Sequence, residues 1–461
     1  MSSVGTTELR ARFARRLSEL YGTEVPAYTT LVDECHLVNQ RVLDRDGAAA
    51  ERFGSISRVT AERHGAIRVG TPAELSQVAR IFGALGMVPA GFYDLRDAYP
   101  QPIPVISTAF RPVETDELAL NPFRVFTSML VPQDRRFFSP DLEKRLLNFL
   151  DRRRLFPDEL LGLADRAEAF GGLSDKDAAR FLDLAAAAFA LSPEPVDRAW
   201  YTELEKISGV AADIGGVTST HINHLTPRVL DIDELYTGMQ ARGIAMIDEI
   251  QGPPRWHGPD VLLRQTSFRA LAEPRAFREA DGTISEGRLR VRFGEVEARG
   301  IALTPAGRGL YDDLVADIDQ QVAAGAARQE IAPEVWAAGL PDSEIELAKR
   351  GLAFFTFSAH GDFDRSLSLS ALLDGGFLTA QPIVYEDFLP RSAAGIFASN
   401  LTDAGAMDAS QGGAPRDREW LADVIGRPIR VPEEIYAAQQ EESLLRSGVS
   451  TTIDGGARQV G

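Results

Sequence analysis

The sequence predicts an α+β fold in which a strand–helix–strand unit occurs twice, with a helical stretch inserted between the copies. Three observations support this. Segments with the two-residue alternation of strands are interleaved with segments of helical period in two separate parts of the chain. The region between them is rich in Leu, Ala, Arg and Asp/Glu at helical spacing. The 461 residues are 44% hydrophobic and 25% charged, near globular averages, which excludes a disordered, collagenous or coiled-coil chain.

The first fifty residues are expected to be helical. In Glu8–Tyr21, Leu9, Phe13, Leu17 and Leu20 fall close to one face, and the basic residues form a solvated polar face. A strand follows at His64–Val69, then a helix, then a second strand at Gly91–Leu95. The helix start is marked by Thr71 as cap, Pro72 at the first position and Glu74 completing a capping box. Leu75, Val78, Phe82 and Leu85 form its buried stripe, and Gly86 can end it in a left-handed conformation.

Helices are expected at Pro140–Leu150, Pro157–Phe170 and Asp175–Leu191. The apolar run Leu184–Leu191 is too short to cross a membrane. From Gly215 the alternating texture returns: a strand at His224–Val229, a helix over Asp231–Gly243 and a strand at Ile244–Ile250. Val261–Phe268, Arg288–Glu297 and Gln381–Tyr385 read as strands, Pro305–Ala324 and Ala332–Leu352 as helices. The expected division is an N-terminal helical segment over 1–55, a first module over 56–115, a helical insertion over 116–208, a second module over 209–304 and a mixed C-terminal part over 305–461.

Charge and cysteine usage narrow the function. With 49 basic and 67 acidic residues the net charge is −18, which disfavours nucleic acid and anionic membrane surfaces as partners. Small anions can bind only where local arginines override that field. The single cysteine, Cys35, excludes an intrachain disulfide and a Cys-rich zinc site. Met1–Leu20 carries arginines but no apolar run, so it does not read as a signal peptide, and the expected location is cytoplasmic.

The two strand–helix–strand units echo each other. HGAIRVGTPAE (His64–Glu74) aligns without a gap with HLTPRVLDIDE (His224–Glu234). Arg68 and Arg228 lie four after the histidine, Thr71 and Asp231 seven after it, Glu74 and Glu234 ten after it. Each helix then ends at a glycine, Gly86 or Gly243. Two such units in one sheet would bring two equivalent histidines toward one point. Two imidazoles plus a carboxylate suffice for a three-ligand metal site.

Of the six histidines, the echo selects His64 and His224. His221 lies three before His224, on the opposite strand face. His36, beside Cys35, falls in an expected helix where adjacent side chains diverge, and His257 and His360 flank loops. The carboxylate comes from RVRFGEVEARG, where alternation puts Val291, Phe293, Glu295 and Glu297 on one face. A glutamate among inward-facing apolar residues needs a partner, a metal or an arginine. Spacing alone separates neither Glu295 from Glu297 nor an iron site from a zinc site. Arg68 and Arg228 share the face of their histidines and can grip an acidic substrate or form ordinary ion pairs. No Walker loop, GxGxxG, HExxH or GxSxG motif occurs. The four lysines, Lys144, Lys176, Lys206 and Lys349, lie in expected helices, which disfavours Schiff-base chemistry.

ERHGAIRVGTPAEL, INHLTPRVLDIDELYTGM, RVRFGEVEARGIALTPAGRGLYD and QPIVYEDFLPRSAAGIF closely resemble the 2-oxoadipate dioxygenase/decarboxylase family, over about Tyr21 to Asn400. Its wider relatives are vicinal oxygen chelate (glyoxalase-like) proteins. The resemblance therefore implies paired βαβββ modules forming a partly closed mixed sheet around a metal. FGEVEAR also resembles the strand that carries the metal-binding glutamate of 4-hydroxyphenylpyruvate dioxygenase, which selects Glu295. By position, the resemblance implies Fe(II) held by His64, His224 and Glu295, with Arg68 on the substrate's distal carboxylate and Arg391 and Ser392 in a substrate-contacting loop. Arg391 departs from the family pattern, where a valine precedes the serine. The implied reaction takes 2-oxoadipate and O2 to 2-hydroxyglutarate and CO2, a step of lysine breakdown. Read without the resemblance, the residues also allow a metal-dependent isomerase, lyase or hydrolase, or a non-catalytic metabolite-binding protein.

Overall fold

A computed structural model describes residues 3–98, 101–290, 292–389, 396, 400, 407–408 and 410–449. Helices α1 (Thr6–Glu24) and α2 (Pro26–Asp46) come first. Leu9, Phe13 and Leu17 of α1 are buried as expected, with Tyr21 rather than Leu20 completing the stripe. The solvated basic face has one exception. Arg10 is buried, where it donates to the Leu85 carbonyl at 2.8 Å and pairs with Glu117 at 2.8 Å.

The site is positioned by β1 (Arg63–Val69), α3 (Pro72–Gly83), β2 (Val88–Asp94), β3 (Val105–Arg111) and β4 (Arg124–Leu130). The expected capping box forms. The Glu74 amide donates to Thr71 Oγ1 at 3.2 Å, and the Thr71 amide to Glu74 Oε2 at 3.2 Å. Gly86 follows with φ 68°, the left-handed value that releases the chain toward β2. Strand β4 corrects the expected helical texture from 116 onward. RVFTSML is a fully buried strand, and its polar residues Arg124, Thr127 and Ser128 fall on both faces, which hides the two-residue period. The helices expected next do form, at Pro140–Leu150, Asp158–Phe170 and Asp175–Ala188, followed by α4 (Gly209–Gly215).

The second run contains β5 (His224–Pro227), α5 (Ile232–Ala241), β6 (Leu263–Phe268) and β7 (Gly294–Arg299). The expected strand at Ile244–Ile250 is reduced to a single antiparallel bridge, Met246 to Phe268. The strand expected over Arg288–Glu297 is two strands. Ile284–Leu289 pairs outward with Glu273–Arg278, whereas β7 returns to β6.

The architecture is mixed α+β with several sheets. The largest has the order β2-β3-β4-β1-β5. Within it β1 lies between β4, to which it is parallel, and β5, to which it is antiparallel. The second run has a matching neighbour order. Met246 bridges the end of β6, β6 pairs antiparallel with β7, and β7 reaches β5 through the parallel bridge of Arg228 and Glu297.

Period two divides the work of β1. Ile67 and Val69 pack into the apolar core with Leu75, Val78 and Phe82 of α3. His64, Ala66 and Arg68 occupy the other face. Gly65 pairs with Leu225, its own counterpart in the echo. A Cβ at Gly65 would come within 2.7 Å of Ile222 Cδ1, so glycine permits this close crossing. A second core around Trp336 joins Pro305–Ala323, Arg328–Gly339 and the hairpin Phe355–Ala359/Leu378–Pro382. Beyond that hairpin, Tyr385–Leu389 returns to the central sheet, where Arg111 holds Asp387 through two 2.9 Å contacts. No described helix is long and apolar enough to cross a membrane.

Candidate metal centre

Antiparallel pairing of β1 with β5 sets His64 opposite Thr226 and Ala66 opposite His224. The two histidines are thus offset by one step on the same sheet face, with ring centroids 5.3 Å apart and planes at 84°. Strand β7, beside β5, delivers Glu295 between them. Glu295 Oε2 lies 3.3 Å from His64 Nε2, and Glu295 Oε1 lies 3.0 Å from His224 Nδ1. One ligand atom from each of the three residues falls within 4.8 Å of the others, and all three are buried.

This set fits a metal ion. Both ring nitrogens of His224 and Nδ1 of His64 are buried without a hydrogen bond. An unsatisfied buried polar atom costs about 1–3 kcal/mol, which a cation at this point would relieve at one nitrogen of His224, whereas Nδ1 of His64 faces Glu297. Burial pushes the Glu295 carboxyl up, but His224 and His64 outweigh it and hold it at about 2. Burial lowers His224 against the opposing pull of Glu295, whereas at His64 burial is outweighed by Glu297 and Glu295, which raise the imidazole above its ordinary value.

The structure also separates the two glutamates. Glu297 is gripped by Arg299, whose Nε donates to Oε1 at 2.7 Å and Nη2 to Oε2 at 2.9 Å, and Arg124 Nη1 reaches Oε1 at 3.4 Å. Its Oε2 lies 3.0 Å from His64 Nδ1, off the line of a hydrogen bond. Burial opposes ionisation of Glu297, and Arg299, His64 and Arg124 overcome that opposition. Glu297 therefore stands on the outer side of His64 from Glu295. Beyond it, Glu62 joins Arg124 at 2.7 Å and Arg228 at 2.9 Å, and Glu386 joins Arg124 at 2.6 Å. Arg228 is thus spent in a buried ion pair.

Arg68, buried at the far end of the same strand face, places Nη1 2.5 Å from Asp213 Oδ2. His221, also buried, lies outside the cluster, with Nε2 3.4 Å from Asp213 Oδ1 and 3.1 Å from Asn223 Nδ2. His36, His257 and His360 are exposed. Arg391 and Ser392 lie outside the described residues. Sequence reasoning missed Phe388, whose ring stands edge-on to His64 at 5.0 Å and meets Phe126 at 5.0 Å. No spacing signals it, because it enters from the C-terminal part. Asp213 was also missed. Its signal is a lone acid in the otherwise small and apolar helix GVAADIG.

A buried pair of imidazoles with one carboxylate is the donor set of the two-histidine, one-carboxylate class of metal centre. Comparison with known proteins makes the assignment more specific. The model of the 2-oxoadipate dioxygenase/decarboxylase family matches residues 13–400. The 2-oxoadipate dioxygenase/decarboxylase of Mycobacterium tuberculosis is 56% identical over 441 residues, 95% of this chain and 97% of its own. That of Pseudomonas putida is 39% identical over 459 residues, 96% of each chain. The crystal structure of the Pseudomonas putida hydroxyglutarate synthase in complex with 2-oxoadipate superposes with a TM-score of 0.82 at 36% identity, covering 97% of this chain and 99% of that one. The chain belongs to the 2-oxoadipate dioxygenase/decarboxylase family.

Proposed function

We propose that this chain is an Fe(II)-dependent dioxygenase that decarboxylates 2-oxoadipate to 2-hydroxyglutarate, on paired βαβββ modules of the vicinal oxygen chelate type. The observation that carries the reading is the buried convergence of His64, His224 and Glu295 in a chain of this family. The repeated neighbour order of the two runs supports the paired modules.

His64, His224 and Glu295 would hold the iron. When bound, the ferrous ion supplies the oxygen chemistry that no side chain can perform. The protein's own residues do the rest. Glu297 favours the proton on His64 Nδ1 and so keeps Nε2 available as a ligand. Arg68 receives the distal carboxylate and orients the chain of the substrate. Phe388, Phe126 and Phe293, buried around the imidazoles, exclude water. Arg391 and Ser392 belong to the substrate-contacting loop in this reading, and lysine breakdown in the cytoplasm is its setting.

The test is to incubate metal-depleted protein with Fe(II), 2-oxoadipate and oxygen and follow CO2 and 2-hydroxyglutarate. Stoichiometric formation of both is expected. Absence of iron-dependent oxygen uptake with every C5–C7 2-oxo diacid would overturn the reading, as would turnover without oxygen.

A further inference from the structure

We infer that Asp213 is a positioning residue that sets which length of 2-oxo dicarboxylate the site accepts, by fixing the direction of the Arg68 guanidinium. The inference rests on Arg68 being the distal-carboxylate clamp proposed above.

His64 and Arg68 stand on one face of one strand, four residues apart. At about 3.3 Å per residue their Cα atoms are roughly 13 Å apart. The metal end and the clamp end of the substrate are therefore attached to a single rigid element. The strand is buried, paired with β4 from His64 to Val69 and with β5 from Arg63 to Ala66, so the spacing of the two residues is fixed by the sheet. The adjustable part of this ruler is the Arg68 side chain, whose several rotatable bonds would let the guanidinium wander by more than the length of one methylene. A ruler that discriminates diacids by one carbon needs that freedom removed.

Asp213 removes it. Its Oδ2 takes Arg68 Nη1 at 2.5 Å, and the same oxygen accepts from Asn223 Nδ2 at 2.9 Å. The carboxylate sits on the buried helix α4, with His221 Nε2 3.4 Å from its other oxygen. Burial disfavours ionised Asp213, but the neighbouring His221 and Arg68 overcome this and keep it charged. The backbone at Arg68 is also tied, since Thr220 Oγ1 donates to its carbonyl at 2.8 Å. The segment Thr220–Asn223 thus braces Arg68 directly and through Asp213, just before the chain enters β5 and supplies His224.

The experiment measures kcat and KM for C5, C6 and C7 2-oxo diacids and for the monoacid 2-oxohexanoate, with metal affinity as a control. Asp213→Asn should raise KM for 2-oxoadipate by about tenfold with kcat nearly unchanged, and flatten the preference among diacids. The monoacid and the metal affinity should not respond. In an Arg68→Ala background, Asp213→Asn should add nothing. Asp213→Glu keeps the charge if the first variant does not fold, and its extra methylene should push the guanidinium inward and shift preference toward the shorter diacid. Equal losses on diacids and the monoacid, or additive effects of Arg68→Ala and Asp213→Asn, would overturn the inference. If Arg68→Ala itself fails to distinguish diacids from the monoacid, the clamp reading fails first. If Arg68→Ala discriminates while both Asp213 variants keep the wild-type length preference, only the role of Asp213 fails.

Discussion

His64 and His224 lie on neighbouring antiparallel strands, offset by one step, with their rings edge to face at 5.3 Å. They are 160 positions apart in sequence (224 minus 64), yet the crossing of β1 and β5 at Gly65 and Leu225 leaves both on one side of the sheet. Antiparallel pairing of the two echoing segments makes their imidazoles converge. Glu295 then arrives on β7, the strand that flanks β5.

Glu297 should act on metal binding without being a ligand. Its Oε2 is 3.0 Å from His64 Nδ1, while Arg299 and Arg124 immobilise it. Glu297→Gln is expected to weaken metal affinity by about 10–100-fold, measured by competition with a chelator. Unchanged affinity would show that Glu297 serves only the arginine network.

Arg68→Ala should impair 2-oxo diacids far more than 2-oxo monoacids. Loss of one charged hydrogen-bonding partner costs about 1.5–3 kcal/mol, or roughly 10–150-fold in kcat/KM. A monoacid makes no such contact, so its kcat/KM should stay within a few-fold. Equal losses would refute the clamp.

The buried ionic cluster gives stability a pH dependence of known sign. Burial alone would raise the Glu386 carboxyl, but Arg58 and Arg124 hold it below its ordinary value. The unfolded carboxyl titrates near ~4.3, so between the two values the unfolded chain binds more protons and stability rises with pH. The contribution is complete above the unfolded value and is lost as pH falls through the folded one. Glu386→Gln takes the close carboxylate from Arg58 and one of the three carboxylates around Arg124, and should cost about 3–5 kcal/mol near neutrality. The gap between wild type and variant in denaturant melts should narrow below about pH 4. A gap independent of pH would mean that Glu386 does not carry this charge.

The cap of α3 is a stability element separate from chemistry. Thr71→Ala removes the acceptor for the Glu74 amide and should cost about 1 kcal/mol. KM for substrate and metal affinity should remain at wild-type values. A changed KM would show that α3 tunes the position of β1.

Much of this arrangement is legible in the sequence, for physical reasons. Thr71, Glu74 and Gly86 mark α3 because capping and left-handed termination are local, and the same grammar at Asp231, Glu234 and Gly243 exposes the repeat. Two-residue alternation places Glu295 and Glu297 on one face, which β7 confirms. What separates them is tertiary: Arg299 is two residues away, but Arg124 comes from a strand whose polar residues fall on both faces, so no alternation marks it. Asp213 and Phe388 reach the site from a helix and a C-terminal return that no local pattern connects to β1. Arg228 has the same spacing as Arg68, yet its partner Glu62 belongs to the other copy, so equivalence in sequence does not carry over to equivalence of role.

The most direct measurement is anaerobic titration of metal-free protein with Fe(II), for the wild type and for His64→Ala, His224→Ala and Glu295→Ala in parallel. One tightly bound ion per wild-type chain, lost in each variant that still melts cooperatively, is the predicted result. Failure of the wild type to bind, or one ion per chain retained after any of these substitutions, would contradict a centre built from these three side chains.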